Sequence, residues 1–248
     1  MKKNELTILS MSGGLDSATL CAEALDRGHD VFVLNFNYGQ KNIVEMKAFK
    51  NLLNYYKNEY VSNGVIIGHK QINLTSMFAE FTAIWQEMRD NNLKEKAHHQ
   101  FYMPSRNLFF AVLSAVIGEI IALNKDYKVV NVGLGIHKHN EKAYGKNHRD
   151  YWDITPEFAE RLRSIFDLND VVKVKVFAPF VDKTKADVVR RALELKVPYN
   201  LTWTCYNPSI KEGVAIPCLT CEACIERELA GKEAGVEDIN NYHLILND

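Results

Sequence analysis

Apolar positions along this chain fall into two alternating rhythms, short unbroken runs and longer helical spacings. Leu6-Thr7-Ile8-Leu9 reads as a buried strand, and Val31-Phe32-Val33-Leu34 and Val65-Ile66-Ile67 read as a second and a third strand. Between them, Asp16 to Arg27 (with Leu20 and Ala24 inward) and Val44 to Tyr56 carry the helical spacing. That alternation predicts a parallel sheet covered by helices through right-handed crossovers. The pattern resumes with a strongly apolar helix over Leu108 to Leu123 and a strand at Val129-Val130-Asn131-Val132 that runs into Gly133-Leu134-Gly135. Pro156 to Phe166 follows as a helix with proline in its first turn. Val172 to Val176 gives a fifth strand leaving through Phe177-Ala178-Pro179, and Lys185 to Leu195 a further helix. Asn73 to His99 is polar with scattered aromatics and reads as an irregular excursion, suited to a substrate lid or a partner surface. After Leu201 the periodicity fades into a cysteine-bearing loop region with a short helix near Cys224 to Gly231. The expected organisation is an α/β domain over residues 1–200 and a small appended segment over 201–248.

Composition narrows the class. Apolar residues make up 47% of the 248 and charged residues 25%, the balance of an ordinary globular protein. A formal net charge of −1 offers no broadly basic face, so no stable nucleic-acid partner is expected. No apolar run approaches the roughly 18–20 residues a bilayer span needs, so no membrane partner is expected either. Met1-Lys2-Lys3-Asn4-Glu5 leads straight into a strand without the apolar core of a signal peptide, and a cytoplasmic location follows as the expectation.

Two motifs carry chemistry. Ser12-Gly13-Gly14-Leu15-Asp16-Ser17 lies between the first strand and the first helix. A glycine pair there lets the backbone turn sharply and bring N–H groups to an anion, and the following helix adds its N-terminal dipole. Ser12 and Ser17 add hydroxyl donors, while Asp16 beside a phosphate makes sense only as a helix cap or as a partner of Mg²⁺. The second motif is Cys218-x-x-Cys221-x-x-Cys224 with Cys205 thirteen positions earlier. Four thiolates at these spacings can close on one tetrahedral ion with no open position, which points to structural Zn²⁺. A cysteine-held iron–sulfur cluster and unliganded cysteines are the alternatives.

The hexapeptide resembles the SGGxDS signature of the PP-loop N-type ATP pyrophosphatases. That resemblance implies a Rossmann-like, adenine nucleotide alpha hydrolase-like fold and an enzyme that cleaves ATP to AMP and pyrophosphate. In such an enzyme the backbone of Gly13, Gly14 and Leu15, with Ser12 and Ser17, would cradle the departing pyrophosphate. The adenine would lie over the strand ends near Asn35, Phe36 and Tyr38.

Further segments narrow the resemblance to the 7-cyano-7-deazaguanine synthase (QueC) family, over nearly the whole chain. Phe36-Asn37-Tyr38-Gly39-Gln40-Lys41 is similar to that family's F-x-Y-G-Q-R, and Met103-Pro104-Ser105-Arg106-Asn107-Leu108 to its V-P-G-R-N-L, with serine in place of glycine. Asp182 to Val189, Val197-Pro198-Tyr199 and Leu201 to Asn207 resemble its later segments. One stretch departs. Where the family reads G-V-N, an acidic residue and S-G-Y-P-D-C-R-P-E-F, this chain has Gly135-Ile136-His137-Lys138, about seven extra residues, then Tyr151-Trp152-Asp153-Ile154-Thr155-Pro156-Glu157-Phe158. The polar loop from His137 to His148, with Arg149, would serve equally as a contact for a carboxylate or phosphate and as a solvated loop.

The resemblance implies an ATP-dependent ligase of queuosine biosynthesis. It would make 7-cyano-7-deazaguanine from 7-carboxy-7-deazaguanine and ammonia through an adenylate and an amide, with ATP, Mg²⁺ and structural Zn²⁺, as a homodimer. Asp16 would help to hold Mg²⁺, and Lys185 would meet the α-phosphate or pyrophosphate unless it is a lysine of the helix surface. Arg106, beside Asn107, would clamp phosphate or the substrate carboxylate unless it makes a structural ion pair. Tyr151 and Asp153 fall in the substrate segment. Asp153 would accept from a guanine-like N–H edge, or else cap the helix at Pro156. Other readings are a relative that stops at the amide or uses another acceptor, an RNA-modifying ligase or thiolase, and a zinc-stabilised binding module.

Overall fold

The computed structural model describes residues 5–38, 43–87, 105–138, 151–236, 239–240 and 242–246. Within them the βα alternation is realised as strands β1 (Glu5–Ser10), β2 (Asp30–Asn37), β3 (Val65–Asn73), β4 (Val129–Gly133) and β5 (Lys173–Phe177) in one sheet. All its pairings are parallel and the strand order is β3-β2-β1-β4-β5. Leu6, Ile8, Leu9, Val31, Val33, Val130 and Val132 are wholly buried, so β1, β2 and β4 read as near-continuous apolar runs, as strands covered on both faces do.

Helices close the two faces. α1 (Leu15–Asp26) and α2 (Ile43–Asn58) pack over one, together with α6 (Lys185–Glu194). α4 (Arg106–Lys125) and α5 (Pro156–Phe166) cover the other. α4 lies tightly on β1 and β4 because Gly118 turns a bare backbone to the sheet, where a Cβ would collide with Val130. By length and apolar composition alone α4 is long and apolar enough to cross a membrane, which the short apolar runs of the sequence did not suggest. Its Ala111, Ser114, Gly118 and Ala122 are buried against this sheet.

Two expectations are corrected here. The start of the excursion at Asn73 is regular: α3 spans Thr75–Glu87, with the Asn73 side chain accepting the Thr75 N–H at 3.0 Å as a helix start requires. Phe78 anchors it among Tyr38, Phe81 and Phe109. The rest of the excursion, 88–99, lies outside the described residues, as do Gly39 to Asn42, Met103, Pro104 and 139–150. The C-terminal region is also more ordered than its sequence suggests. β6 (Ser209–Lys211), β7 (Val214–Ile216) and β8 (Leu244–Ile245) form a small antiparallel sheet in the order β6-β7-β8. α7 (Glu222–Glu233) packs on α6. A third apolar cluster, with Trp203, Cys205, Cys224, Tyr242 and Leu244, joins this region to Val44 and Ala48 of α2.

Candidate functional site

The strand order reverses between β1 and β4, and open α/β sheets bind ligands in the crevice outside that point. Both strands end there in chemically loaded loops. Leaving β1, the Met11 N–H donates to the Leu34 carbonyl at 2.8 Å, and the Asn35 side chain donates to the Met11 carbonyl at 2.9 Å. β2 therefore fixes where the Ser12–Ser17 loop begins. Gly13 is required twice over: its φ is +101°, and a Cβ would stand 2.6 Å from the Glu45 carbonyl oxygen. The serines hold the turn from within. Ser12 N–H donates to Ser17 Oγ at 3.3 Å, Gly14 N–H to Ser12 Oγ at 3.2 Å and the Ser17 hydroxyl to the Gly14 carbonyl at 3.0 Å. Gly14 is the N-cap of α1 without any side-chain cap, which leaves the helix's first N–H groups and positive dipole end for an anion.

Asp16, the second residue of α1, is therefore not the cap. Its carboxylate accepts from Lys185 Nζ through both oxygens, at 2.5 and 2.6 Å, and His137 Nε2 stands 3.6 Å away. Lys185 comes from the first turn of α6, which Thr184 and Asp187 start with a reciprocal capping box. Lys185 is not a surface lysine: its side chain is 4% exposed, whereas Asp16 keeps 29% toward the crevice. Burial alone would raise the Asp16 carboxyl, but the Lys185 ammonium and then His137 outweigh it and hold the group well below the usual carboxylate range. Burial likewise opposes the His137 charge, and Asp16 overrides it, so the imidazole is raised. Among the described residues the Lys185 ammonium, which has three donors, bonds to Asp16 alone.

The other sequence candidates sit as follows. Asn35 is 1% exposed and serves as the brace of Met11, further supported by Gln71 at 3.4 Å. Phe36 is buried and stacked on Phe110 at 4.1 Å, while Tyr38 is partly exposed beside Phe78 and Phe110. Arg106 opens α4 half-buried, with no ion pair among the described residues. It draws down the half-exposed Tyr206 phenol, which burial and then Glu226 push up to about 12. Asn107 and Asp153 are joined: the Asn107 N–H donates to Asp153 Oδ2 at 3.0 Å and its amide to the Asp153 carbonyl at 3.2 Å. Asp153 is not the cap of the helix at Pro156. Thr155 is, its hydroxyl accepting the Phe158 N–H at 3.1 Å. Tyr151, half-buried, precedes the single 3₁₀ turn that carries Asp153.

In the sequence His137 figures only as the first residue of the polar loop, with no role of its own. Its place directly after β4 at the switch point was the available signal.

The ligand atoms of Cys205, Cys218, Cys221 and Cys224 all lie within 4.8 Å of one another. A tetrahedral ion at a metal–sulfur distance of about 2.3 Å needs such a spacing, so the four residues fit one metal ion. Burial pushes the Cys205 thiol up to about 11. Cys218 is only partly buried, and although burial raises its thiol, the N–H groups of Thr220 and Cys221 hold it down at about 6.

A helix-covered parallel sheet with a glycine-paired anion loop at its switch point, backed by an Asp–Lys pair, defines a nucleotide-binding α/β protein of the PP-loop class. The model of the family described as queuosine biosynthesis protein QueC matches residues 6–235, and the chain belongs to that family. It is 32% identical to the 7-cyano-7-deazaguanine synthase of Archaeoglobus fulgidus over 93% of this chain and 87% of the relative. It is 31% identical to that of Caldicellulosiruptor bescii, over 97% and 98%. Among solved structures, NMN synthetase from Francisella tularensis is a distant likeness, 18% identical over 79% of this chain and 63% of its own, at a TM-score of 0.42.

Proposed function

We propose that this protein makes 7-cyano-7-deazaguanine from 7-carboxy-7-deazaguanine and ammonia, using ATP through an adenylate and then an amide. The observation that carries the reading is the switch-point loop with Asp16 and Lys185 held together at its rim, in a chain nearly one-third identical to named synthases along most of its length. The carboxylate oxygens leave only if activated, and adenylation does this while producing pyrophosphate. In the proposed roles, the N–H groups at the start of α1 receive that pyrophosphate and the Lys185 ammonium meets its charge. Asp16, ionised and partly open to the crevice, fits as a contact for Mg²⁺, which would neutralise the phosphates of ATP. Arg106, Asn107, Tyr151 and Asp153 would orient the deazaguanine, with the second Asp153 oxygen as the acceptor for its N–H edge. Catalysis would rest on positioning and on excluding water from the adenylate.

The four cysteines would hold zinc as a structural cross-link of segment 201–248, docked on the activating domain of residues 1–200. Two copies would pair through α4, whose Val112, Val116, Ile120 and Leu123 form an outer stripe 46–62% exposed. Such a stripe pairs with its own copy about a two-fold axis.

A second reading, in which the product is the amide or a conjugate, is favoured by one observation. Where the family has arginine this chain has Thr155, and here its hydroxyl is spent on capping α5. AMP release that depends on the deazaguanine acid tests whether the loop activates that acid at all.

A further inference from the structure

The cysteine segment and the phosphate loop touch through one residue. The Trp203 N–H donates to the Gly13 carbonyl at 2.8 Å, so the peptide that turns the loop is tied to the start of the C-terminal region. On its other side Gly13 faces α2, where a Cβ would stand 2.6 Å from the Glu45 carbonyl oxygen. Trp203 itself is buried, and its indole N–H donates to the carbonyl of Cys205, one of the four cysteines.

What holds Trp203 in place is Arg227. Its guanidinium donates to Thr202 Oγ1 at 2.8 Å and Thr204 Oγ1 at 3.0 Å, gripping the chain on both sides of the tryptophan. Its other donors go to the carbonyls of Tyr199 at 2.7 Å and Ile239 at 3.0 Å, and its face lies 4.2 Å over the Tyr242 ring. Arg227 sits on α7 one turn beyond Cys224, is 0% exposed, and makes no ion pair with a carboxylate among the described residues. A buried cation without a carboxylate is costly, and a neutral packed side chain would serve packing alone as well. The planar fork does what such a side chain does not: it fixes four acceptors at once, three of them along 199–204 and the fourth at Ile239.

We propose that Arg227 is the positioning residue through which the cysteine-held segment sets the geometry of the phosphate loop. It orients Thr202, Trp203 and Thr204, Trp203 orients Gly13, and Gly13 aims the N–H groups that open α1. The consequence for ATP rests on reading the loop as the ATP site, whereas the mechanical link does not. Metal bound at Cys205 and Cys224 fixes both ends of the bracket, the Cys205 carbonyl that takes the indole N–H and the helix that carries Arg227.

Two variants test this with the metal-loaded protein: Arg227→Lys, and Thr204→Val in case the first does not fold. Mg-ATP affinity is measured by titration calorimetry, zinc by elemental analysis, and hydrogen exchange by mass spectrometry on peptides covering residues 10–20 and 173–177. The expected result is a tenfold or greater loss of ATP affinity for Arg227→Lys and a threefold loss for Thr204→Val. Zinc stays at one per chain, and exchange quickens at 10–20 only. Unchanged exchange at 10–20 with unchanged ATP affinity overturns the proposal, and so does equal quickening in both peptides, which marks general destabilisation. A wild type that binds no ATP refutes the function reading instead, and the exchange data then decide the bracket by themselves.

Discussion

Lys185 Nζ donates to both carboxylate oxygens of Asp16, at 2.5 and 2.6 Å, across 169 positions of sequence. The first turn of α6 thereby meets the first turn of α1 at the mouth of the phosphate loop. Removing one partner strands the other charge in a site from which Lys185 is almost wholly withdrawn from water. Asp16→Asn should therefore lower unfolding free energy by ~3 kcal/mol and also abolish pyrophosphate release. Lys185→Arg should fold but lose at least a hundredfold in turnover, because a longer planar fork does not reproduce a point charge. Denaturant titration and a pyrophosphate assay check both, and wild-type turnover in either variant would contradict these roles.

The capping box of α6 gives a pH dependence. Thr184 N–H and hydroxyl, and then Arg190, hold the Asp187 carboxyl below its usual range against a smaller effect of burial. Its stabilisation is therefore complete above the unfolded aspartate value near pH 3.9 and is lost as pH falls through the lower folded value. Asp187→Ala should cost ~1 kcal/mol at pH 7, and the gap from wild type should close toward pH 2. A gap that stays constant over that range would show that the carboxylate charge is irrelevant.

Ser105 occupies the position where the family has glycine, and its φ is +58°. As N-cap of α4 its side chain makes no capping hydrogen bond that would offset the left-handed strain. Ser105→Gly should stabilise by ~1 kcal/mol, read as a rise in melting temperature. A fall would show that the serine hydroxyl has a role in the folded protein.

Metal removal should act locally. Strands of two and three residues do not stand alone, so a chelator that strips the metal should release β6, β7 and β8 while the parallel sheet persists. Elemental analysis should find about one zinc per chain. Visible absorption from an iron–sulfur cluster would contradict the zinc assignment.

The α4 stripe predicts an oligomeric response. Ile120→Glu should convert a dimer to monomer in sedimentation, without loss of helicity, because the side chain is already half exposed. Wild type that sediments as a monomer would remove this interface.

The central strands β1, β2 and β4 were legible because buried strands write themselves as unbroken apolar runs, and α5 because Pro156 opens it. The turn at Ser12–Ser17 and the cysteine cluster were legible because each is contiguous or nearly so. What escaped was non-local. Lys185 could be suspected, but its partner Asp16 is 169 residues away, and nothing in the sequence marks Arg227 as the grip on Trp203. α3 was hidden because Phe78, its buried residue among those described, packs on aromatics from elsewhere, Tyr38 and Phe109, rather than within an aliphatic period of its own. Asn35 and Phe36 were drawn to the nucleotide by their place at a strand end, whereas their side chains support the loop and the core.

The central claim is tested most directly by the mass of the product. Incubation with ATP, Mg²⁺, ammonium and 7-carboxy-7-deazaguanine should yield AMP, pyrophosphate and a compound with the mass of 7-cyano-7-deazaguanine. Accumulation of the amide with no nitrile would contradict a synthase of the full reaction. Absence of AMP would contradict activation of this acid by the Ser12–Ser17 loop.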